Sequence, residues 1–349
     1  MFKIKSYFLK KFRIKKVGDN LSVLSQRTPF WKPFLFILPS LLTVTLMTII
    51  PFILVIIDAF TIQVGSFADE VSFGVDNFKE LLQHKYFLVA LRNAFLYSIT
   101  ALPFSLCCSI LISVAITMLV QRWARGFWQT VFFLPYVTSA IAVSITFFFI
   151  FKKDAGFVNT LLKNAGLIDA PIPFLESGDP SSFKPFIVIL LRGVWGSLAF
   201  QVLILTTAML SVNPQLYKSA SIDGSYKFKQ FFRITLPSIK RTLSFLITMG
   251  IIGGIKVFPL ALFNNSSSEA FSNGGGSLML YVYHYTKTVV NFSKAGVASI
   301  MLFLIGIVVS FTLRKLAGFI YLAGVKIGEN NVIRKIENKK LRSKTVFKI

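Results

Sequence analysis

Residues 216–237 read LYKSASIDGSYKFKQFFRITLP, a basic and hydrophilic segment between two apolar runs that are each long enough to cross a membrane. The sequence predicts two short helices here, at residues 217–221 and 226–232. Gly224 stands between them, and glycine readily adopts the left-handed backbone that a sharp turn between helices requires. The predicted helix pair would lie across one face of the membrane and present aromatic side chains to a partner groove or to the membrane surface.

The composition of the chain indicates its class. Hydrophobic residues make up 54% of the 349 residues, 38 residues are phenylalanine, and the mean hydropathy is +0.68, values that exclude an ordinary soluble domain. Six apolar runs are long enough to span a bilayer, at residues 34–57, 93–120, 127–151, 186–210, 242–263 and 295–313. The sequence therefore predicts an all-α, polytopic membrane protein with six transmembrane helices.

The net charge of +24 is explained by membrane topology. With the N-terminus inside, 27 Lys and Arg residues fall in the cytoplasmic segments and 8 in the external ones, while Arg92, Arg192 and Lys256 lie at or within helices. Because Lys and Arg near short loops stay on the cytoplasmic side, both termini are predicted to be cytoplasmic. A basic chain can also bind nucleic acid. Here the charges are dispersed and no groove-reading motif accompanies them, so no nucleic-acid partner is expected.

The predicted spans divide the chain into three parts. Residues 1–33 form a basic cytoplasmic tail, whose alternation of bulky apolar and basic residues predicts an interfacial helix on anionic membrane lipid. Residues 34–313 form the six-helix transmembrane domain, with a cytoplasmic loop at residues 212–240. Residues 314–349 form a second basic cytoplasmic tail.

The chain lacks the usual motifs of catalysis and metal binding. Cys107 and Cys108 are adjacent and cannot form a disulfide framework, and the two histidines, His84 and His284, are far apart in sequence. Nucleotide-binding P-loop, nucleophile-elbow and HExxH patterns do not occur. We therefore expect no catalytic residue, no metal ligand and no ATP hydrolysis by this chain itself.

The opening segment resembles the coupling loop of ABC importer permeases. The family pattern is Glu-Ala-Ala, three residues, Gly, nine residues and Ile-x-Leu-Pro, and this sequence departs from it by carrying Lys218 in place of the acid. The resemblance implies that the loop transfers movement from a separate ATPase to the membrane helices. The residues that it assigns to this role are Lys218, Ser219, Ala220, Asp223, Gly224, Phe231, Ile234, Leu236 and Pro237. The alternative is an amphipathic interfacial loop of any polytopic protein.

The resemblance extends over nearly the whole chain, to the maltose-type and glycerol-phosphate-type permeases of the carbohydrate-uptake branch. It is carried by FLFILPSLLTVTLMTIIPF in the first run, FFLPYVTSA in the third, Trp195 in the fourth and KVFPLALF in the fifth. It implies a type I, maltose-type fold in the bacterial plasma (inner) membrane. The implied partners are a second permease, an ATPase dimer that binds ATP and Mg, and an extracellular, periplasmic or lipid-anchored substrate-binding protein. No cofactor is implied on this chain.

The same resemblance assigns a substrate path. It carries the family's substrate contacts onto Tyr136, Gly196, Ser197, Phe200, Gly253, Gly254 and Val257. Aromatic rings can stack on the apolar face of a sugar, and a few polar groups fix its orientation. The implied cargo is a sugar or oligosaccharide, and the alternative is glycerol phosphate or another anionic sugar or polyol.

Two further residues, Arg192 and Lys256, are assigned to that path because they are cations within apolar runs, and not because of the resemblance. Each is expected about 10 Å from the outer end of its helix at about 1.5 Å per residue, and a charge buried in a membrane is costly and usually functional. The two could share one anionic ligand. Alternatively, both snorkel outward or pair with Asp58. Similarly, Gly250, Gly253 and Gly254 could pack against a second subunit or within the chain.

Two other function classes are open to a polytopic chain. A secondary transporter should show internal repeats and intramembrane carboxylates, but Asp58 is the only acidic residue in or beside a predicted helix. An integral membrane enzyme would need a cluster of catalytic groups at the membrane surface, and the sequence has no such cluster. Both classes are therefore disfavoured.

Overall fold

The computed structural model describes residues 31–63, 71–313, 315–316 and 318–319. The chain divides into two compact units, Met1–Leu54 and Val55–Ile349. The predicted interfacial helix and nearly all of both basic tails, at residues 1–33 and 314–349, lie outside the described residues.

Helices account for most of the described chain. In chain order, the elements that precede residue 184 are α1 (Trp31–Phe60), β1 (Thr61–Gln63), β2 (Val71–Phe73), α2 (Asp76–Gln83), α3 (Lys85–Met118), α4 (Arg122–Val137), α5 (Ala140–Phe151) and α6 (Phe157–Asn164). They are followed by α7 (Lys184–Leu210), α8 (Pro214–Ile222), α9 (Lys227–Ser238), α10 (Lys240–Ile255), α11 (Ser267–Ser272), α12 (Leu278–Tyr283) and α13 (Phe292–Leu313).

Four of these helices, α1, α3, α7 and α13, are long and apolar enough to cross a membrane. Two bent pairs, α4 with α5 and α9 with α10, pass the same criterion when each pair is taken together, so the described residues contain four to six candidate spans. The apolar runs predicted from the sequence coincide with these helices. The strict count of six and the orientation of the termini stay predictions.

The third predicted run, residues 127–151, is not one straight helix. Helices α4 and α5 meet at an angle of 91°. Pro135 cannot donate a backbone hydrogen bond and its ring crowds the preceding turn, which weakens the end of α4. Thr138 and Ser139 then adopt extended backbone, and the Thr138 hydroxyl donates to the carbonyl of Pro135 at 3.0 Å. A hydropathy pattern does not report a bend of this kind.

The fifth predicted run, residues 242–263, is also shorter as a helix than expected. Helix α10 ends at Ile255, and a single 3₁₀ turn at Leu260–Leu262 follows. Pro259 disfavours helical backbone at the residue before it, and Gly253 and Gly254 weaken the last turn. Lys256 therefore caps the helix end instead of lying within the helix, so the continuous helix from which its depth is predicted is not present, and the depth itself stays a prediction.

The prediction of an all-α chain is wrong at one place. Strands β1 and β2 pair antiparallel, with Thr61 opposite Phe73 and Gln63 opposite Val71. Asn77 at the start of α2 donates to the carbonyls of Ala59 and Thr61 at 3.2 and 2.8 Å, which ties this small ribbon to the helix that follows. The rest of the regular structure described is helical.

The second unit contains a buried aromatic cluster. Tyr281 packs edge-on against Phe87, with ring centroids 5.6 Å apart, and Phe271 is also fully buried. His84 lies beside this cluster and hydrogen-bonds the Tyr285 hydroxyl at 3.1 Å. The cluster joins the start of α3 to the α11–α12 region.

One buried amide secures the glycine run at residues 274–276 to helix α3. Asn93 is 4% exposed and donates to the carbonyls of Gly274 and Gly276 at 2.9 and 2.8 Å. A buried carbonyl without a partner is costly. The Asn93 side chain therefore fixes the conformation of the turn at residues 274–276.

Candidate functional site

A cavity of about 780 Å³ lies among α3, α4, α5, α7, α10 and the segment that follows α10. Its volume falls within the range of small-molecule sites. All nine residues predicted for a substrate path line it: Tyr136, Arg192, Gly196, Ser197, Phe200, Gly253, Gly254, Lys256 and Val257. The structure thus brings together residues from separate parts of the sequence, although their contact with a substrate stays a prediction.

An aromatic wall forms one side of the cavity. The rings of Tyr136 on α4 and Phe200 on α7 lie 6.1 Å apart between centroids and within 25° of parallel. Tyr136 is exposed, and Tyr97 and Phe258 also line the cavity. Aromatic faces of this kind can pack against the apolar face of a ligand. Trp195 is exposed but is not among the residues that line this cavity.

The helix glycines fall into two groups. A Cβ atom at Gly193 would lie 1.7 Å from the Tyr97 hydroxyl, and one at Gly250 would lie 2.2 Å from a methyl group of Leu102. Gly254 similarly faces Ser98, so this set permits close packing on α3 within the chain. By contrast, a Cβ atom added at Gly196 or Gly253 would meet no atom within 4 Å, and both glycines border the cavity. The intramolecular alternative is thus correct for Gly250 and Gly254.

A buried polar network that was not predicted from the sequence reaches the cavity, which Gln201 and Ser105 line. Gln201 on α7 donates to the Ser105 hydroxyl at 3.2 Å and accepts from Ser109 at 2.8 Å. Ser113 donates to the carbonyl of Val202 at 3.3 Å. The serines at 105, 109 and 113 repeat every four residues along one face of α3, and this spacing was the signal that could have revealed the network.

Arg192 holds the bend between α4 and α5 in place. Its Nε donates to the Ser144 hydroxyl and its Nη2 to the carbonyl of Ala140, both at 3.0 Å. Both partners lie in the first turns of α5. The guanidinium therefore positions the start of that helix while it also lines the cavity.

Lys256 is exposed to the cavity at the carboxyl end of α10. Neither Lys256 nor Arg192 pairs with Asp58 in the part of the chain that the structure describes, where the ion pairs are Lys79–Asp76 and Lys294–Glu80. The alternative in which Asp58 neutralises these cations is therefore wrong for the described residues.

The segment from Asn213 to Ile239, named here the coupling segment, contains two helices and a sharp turn. Asn213 caps α8 by accepting from the backbone N–H of Gln215 at 3.0 Å, and Pro214 occupies the first helical position. Gly224 adopts φ +70°, and the N–H of Ser225 reaches back to the carbonyl of Ala220 at 2.8 Å. This is a Schellman ending. Both helices are longer than predicted, because the cap extends α8 backward and α9 continues to Ser238.

Side-chain hydrogen bonds hold the two helices of the coupling segment together. Gln230 is buried and donates to the Ser221 hydroxyl at 3.0 Å and to the carbonyl of Ser225 at 2.8 Å. Tyr217 and Thr235 share a hydrogen bond of 2.8 Å. These contacts link α8, the turn and α9, and Gln230 is a further residue that the sequence does not predict.

The coupling segment exposes several large apolar side chains, of which Phe228 and Phe232 contact each other with ring centroids 4.9 Å apart. Ile222 is 87% exposed and Phe228 is 68% exposed, and Tyr226 and Phe232 are exposed beside them. Other residues of the segment pack inward: Tyr217, Phe231 and Ile234 contact a buried cluster formed by Leu205, Met209, Val212, Ile239 and Leu246. An exposed apolar surface of this kind is typical of a protein-binding or membrane-binding site.

Comparisons with known proteins identify the family. MG188 of Mycoplasma genitalium, a probable ABC transporter permease, is 47% identical over 296 residues, which cover 84% of this chain and 88% of the relative. The chain belongs to the ABC transporter permeases. AraP of Bacillus subtilis, an arabinooligosaccharide transport permease, is 27% identical over 290 residues and covers 82% and 88% of the two chains. No family model matches the permease.

Solved structures agree on the fold of the permease. A chain of a bacterial ABC transporter involved in the import of the acidic polysaccharide alginate aligns with a TM-score of 0.68 and 23% identity, covering 82% of this permease and 94% of that chain. Sequence relatives of the permease include members of sugar-uptake systems. The prediction of a multi-pass protein of the bacterial plasma membrane is confirmed.

The coupling residues predicted for the permease occupy two environments. Lys218, Ser219, Asp223, Gly224 and Pro237 are exposed, whereas Ala220, Phe231, Ile234 and Leu236 are half-buried. The exposed set is available to another protein, and the half-buried set contacts the permease itself. The transfer of movement through them stays a prediction.

Proposed function

We propose that this permease forms, with a second permease, the membrane path through which an ABC importer takes up a sugar or oligosaccharide. The aromatic wall and polar groups of the cavity support a saccharide, because they combine apolar ring faces with a few hydrogen-bonding groups. The sugar-transport relatives support the same cargo. In this proposal the chain has six spans and cytoplasmic termini.

The observation that carries the proposal is a packed connection between the coupling segment and the cavity. Buried residues at the ends of α7 and α10 form one cluster, and Phe231 and Ile234 of the coupling segment pack against it. Phe200 and Leu246 belong to the same packing and also line the cavity. Close-packed side chains transmit displacement because they cannot be compressed independently.

This connection gives each part of the mechanism a physical role. A soluble ATPase dimer that binds ATP and Mg moves the exposed surface of the coupling segment. Because hydrogen bonds make the segment rigid, the movement reaches α7 and α10 instead of being lost in the turn. The cavity walls on these helices then change their separation, and the saccharide that an external binding protein delivers passes inward. ATP is hydrolysed on the partner and not on this chain.

The experiment that tests the proposal is purification of the tagged chain from native membranes in mild detergent. Mass spectrometry then identifies the proteins that accompany it in fixed ratio. We expect two ATPase copies and a second permease, with a substrate-binding protein at lower occupancy. Recovery of the chain alone or as a simple homodimer, with no ATPase even after crosslinking, would contradict the proposal.

A further inference from the structure

The cavity has an unbalanced charge. Among the described residues that line it, Arg192 and Lys256 are cationic and none is Asp or Glu. The positive-inside pattern does not account for this pair, because both residues lie away from the basic cytoplasmic segments. A charge at membrane depth is costly and tends to be retained where it faces a water-filled path or a ligand.

The two cations differ in how they are held. Arg192 is fixed through Nε and Nη2 by Ser144 and the carbonyl of Ala140, both uncharged acceptors, while its Nη1 has no partner among the described residues. Lys256 has no side-chain partner in the described chain, and its only local compensation is the partial negative charge at the end of α10. One preorganised donor and one flexible donor thus face the same space without a counter-charge.

We propose that the cavity takes an anionic saccharide or polyol, whose carboxylate or phosphate group is bound between Arg192 and Lys256 while its apolar face packs on Tyr136 and Phe200. The inference rests on the proposed importer function and names the substrate class for the same cavity. Arg192 is suited to a planar carboxylate or a phosphate because guanidinium groups donate hydrogen bonds in a fixed geometry. Lys256 adds a mobile point charge that can follow the anion as it passes.

The test measures equilibrium binding to the whole copurified complex in lipid nanodiscs by calorimetry. Trigalacturonate and maltotriose form a matched pair, since both have three rings and only the first carries carboxylates. Glycerol 3-phosphate and glycerol form a second pair that distinguishes a phosphate ester from a carboxylate. We expect at least one anionic probe to bind about 10- to 100-fold more tightly than its neutral counterpart, the range for charge-assisted hydrogen bonds, and to weaken at high salt.

Variants locate that preference in the cavity. Lys256→Gln should remove most of the advantage of the anionic probe over the neutral probe, whereas Lys256→Arg should retain it. Lys287→Gln is the control, because Lys287 is an exposed lysine that does not line the cavity. Equal binding of anionic and neutral probes, no binding of either anionic probe, or an unchanged preference in Lys256→Gln would each overturn the inference. In those cases the importer proposal would still stand if the complex contained its ATPase.

Discussion

Replacing Gly224 by alanine should uncouple the permease from its ATPase without disturbing the membrane helices. Gly224 has φ +70°, and a Cβ atom there would meet nothing within 4 Å, so the change adds backbone strain and no steric clash. Left-handed backbone costs an L-residue about 1–2 kcal/mol. The native turn at Gly224 positions the two helices of the coupling segment. The strain shifts the equilibrium between this turn and other local conformations by about 5- to 30-fold against the turn.

The chain contains a matched control for this substitution. Gly166 ends α6 with φ +69°, has the same open space around its Cβ, and is followed by the same hydrogen bond, from the Leu167 N–H to the carbonyl of Leu162 at 3.0 Å. Gly166→Ala should therefore introduce equal strain in a loop outside the coupling segment. A variant with asparagine at position 224 should be less affected, because asparagine tolerates this conformation better.

The assay compares three quantities in reconstituted complexes: thermal stability, the amount of ATPase that copurifies, and ATP-driven uptake. We expect both alanine variants to lose similar thermal stability, and Gly224→Ala alone to lose ATPase retention and uptake. The reasoning would be refuted if Gly224→Ala retained full coupling despite the same loss of stability as Gly166→Ala. It would also be refuted if both variants lost coupling equally.

Three further predictions concern the packing of the second unit. Asn93→Ala should lower the free energy of unfolding by about 2–3 kcal/mol, because it leaves two buried glycine carbonyls without donors. Denaturant unfolding measures this loss, and an unchanged free energy of unfolding would contradict the prediction. Gly193→Ala should destabilise the chain by about 1–3 kcal/mol through its clash with Tyr97, and Tyr97→Ala should partly rescue it in a double-mutant cycle. Burial lowers the pKa of His84 and of His284 below 6.5. The folded chain therefore favours the neutral imidazoles, and their contribution to the free energy of unfolding is fully present above about pH 6.5. That contribution is lost as the pH falls toward the lowered pKa values. Thermal scans should show that loss, and replacing both histidines by glutamine should reduce it.

Most of the helical framework is predictable from the sequence, for a physical reason. Backbone polar groups must bond internally within a bilayer, so long apolar runs become helices. Four runs coincide with single long helices. The bend in the third run is not predictable in this way, since it depends on the contact of Arg192 with the first turns of α5 as well as on Pro135.

The residues of the cavity are likewise predictable from the sequence in part, whereas the contacts that hold them are not. Of the nine predicted residues that line the cavity, seven follow from the family motifs and two, Arg192 and Lys256, from their charge, but neither argument reveals the contacts that hold them. The spacing of the serines marks a polar face on α3, but their partner Gln201 lies on a helix that is distant in sequence, so no local pattern specifies the contact between Gln201 and Ser105. Similarly, the position of Lys256 depends on where α10 ends, and apolar residues continue past that end.

The most direct test of the central claim is photo-crosslinking from position 228 of the coupling segment. A photoreactive phenylalanine analogue replaces Phe228, whose side chain is largely exposed, and Phe157 on α6 provides an equally exposed control position. The account predicts a covalent adduct between position 228 and the ATPase subunit in native membranes, and no such adduct from position 157. Adducts from position 228 with lipid alone, or with the ATPase from both positions equally, would contradict the claim that this segment couples the permease to its motor.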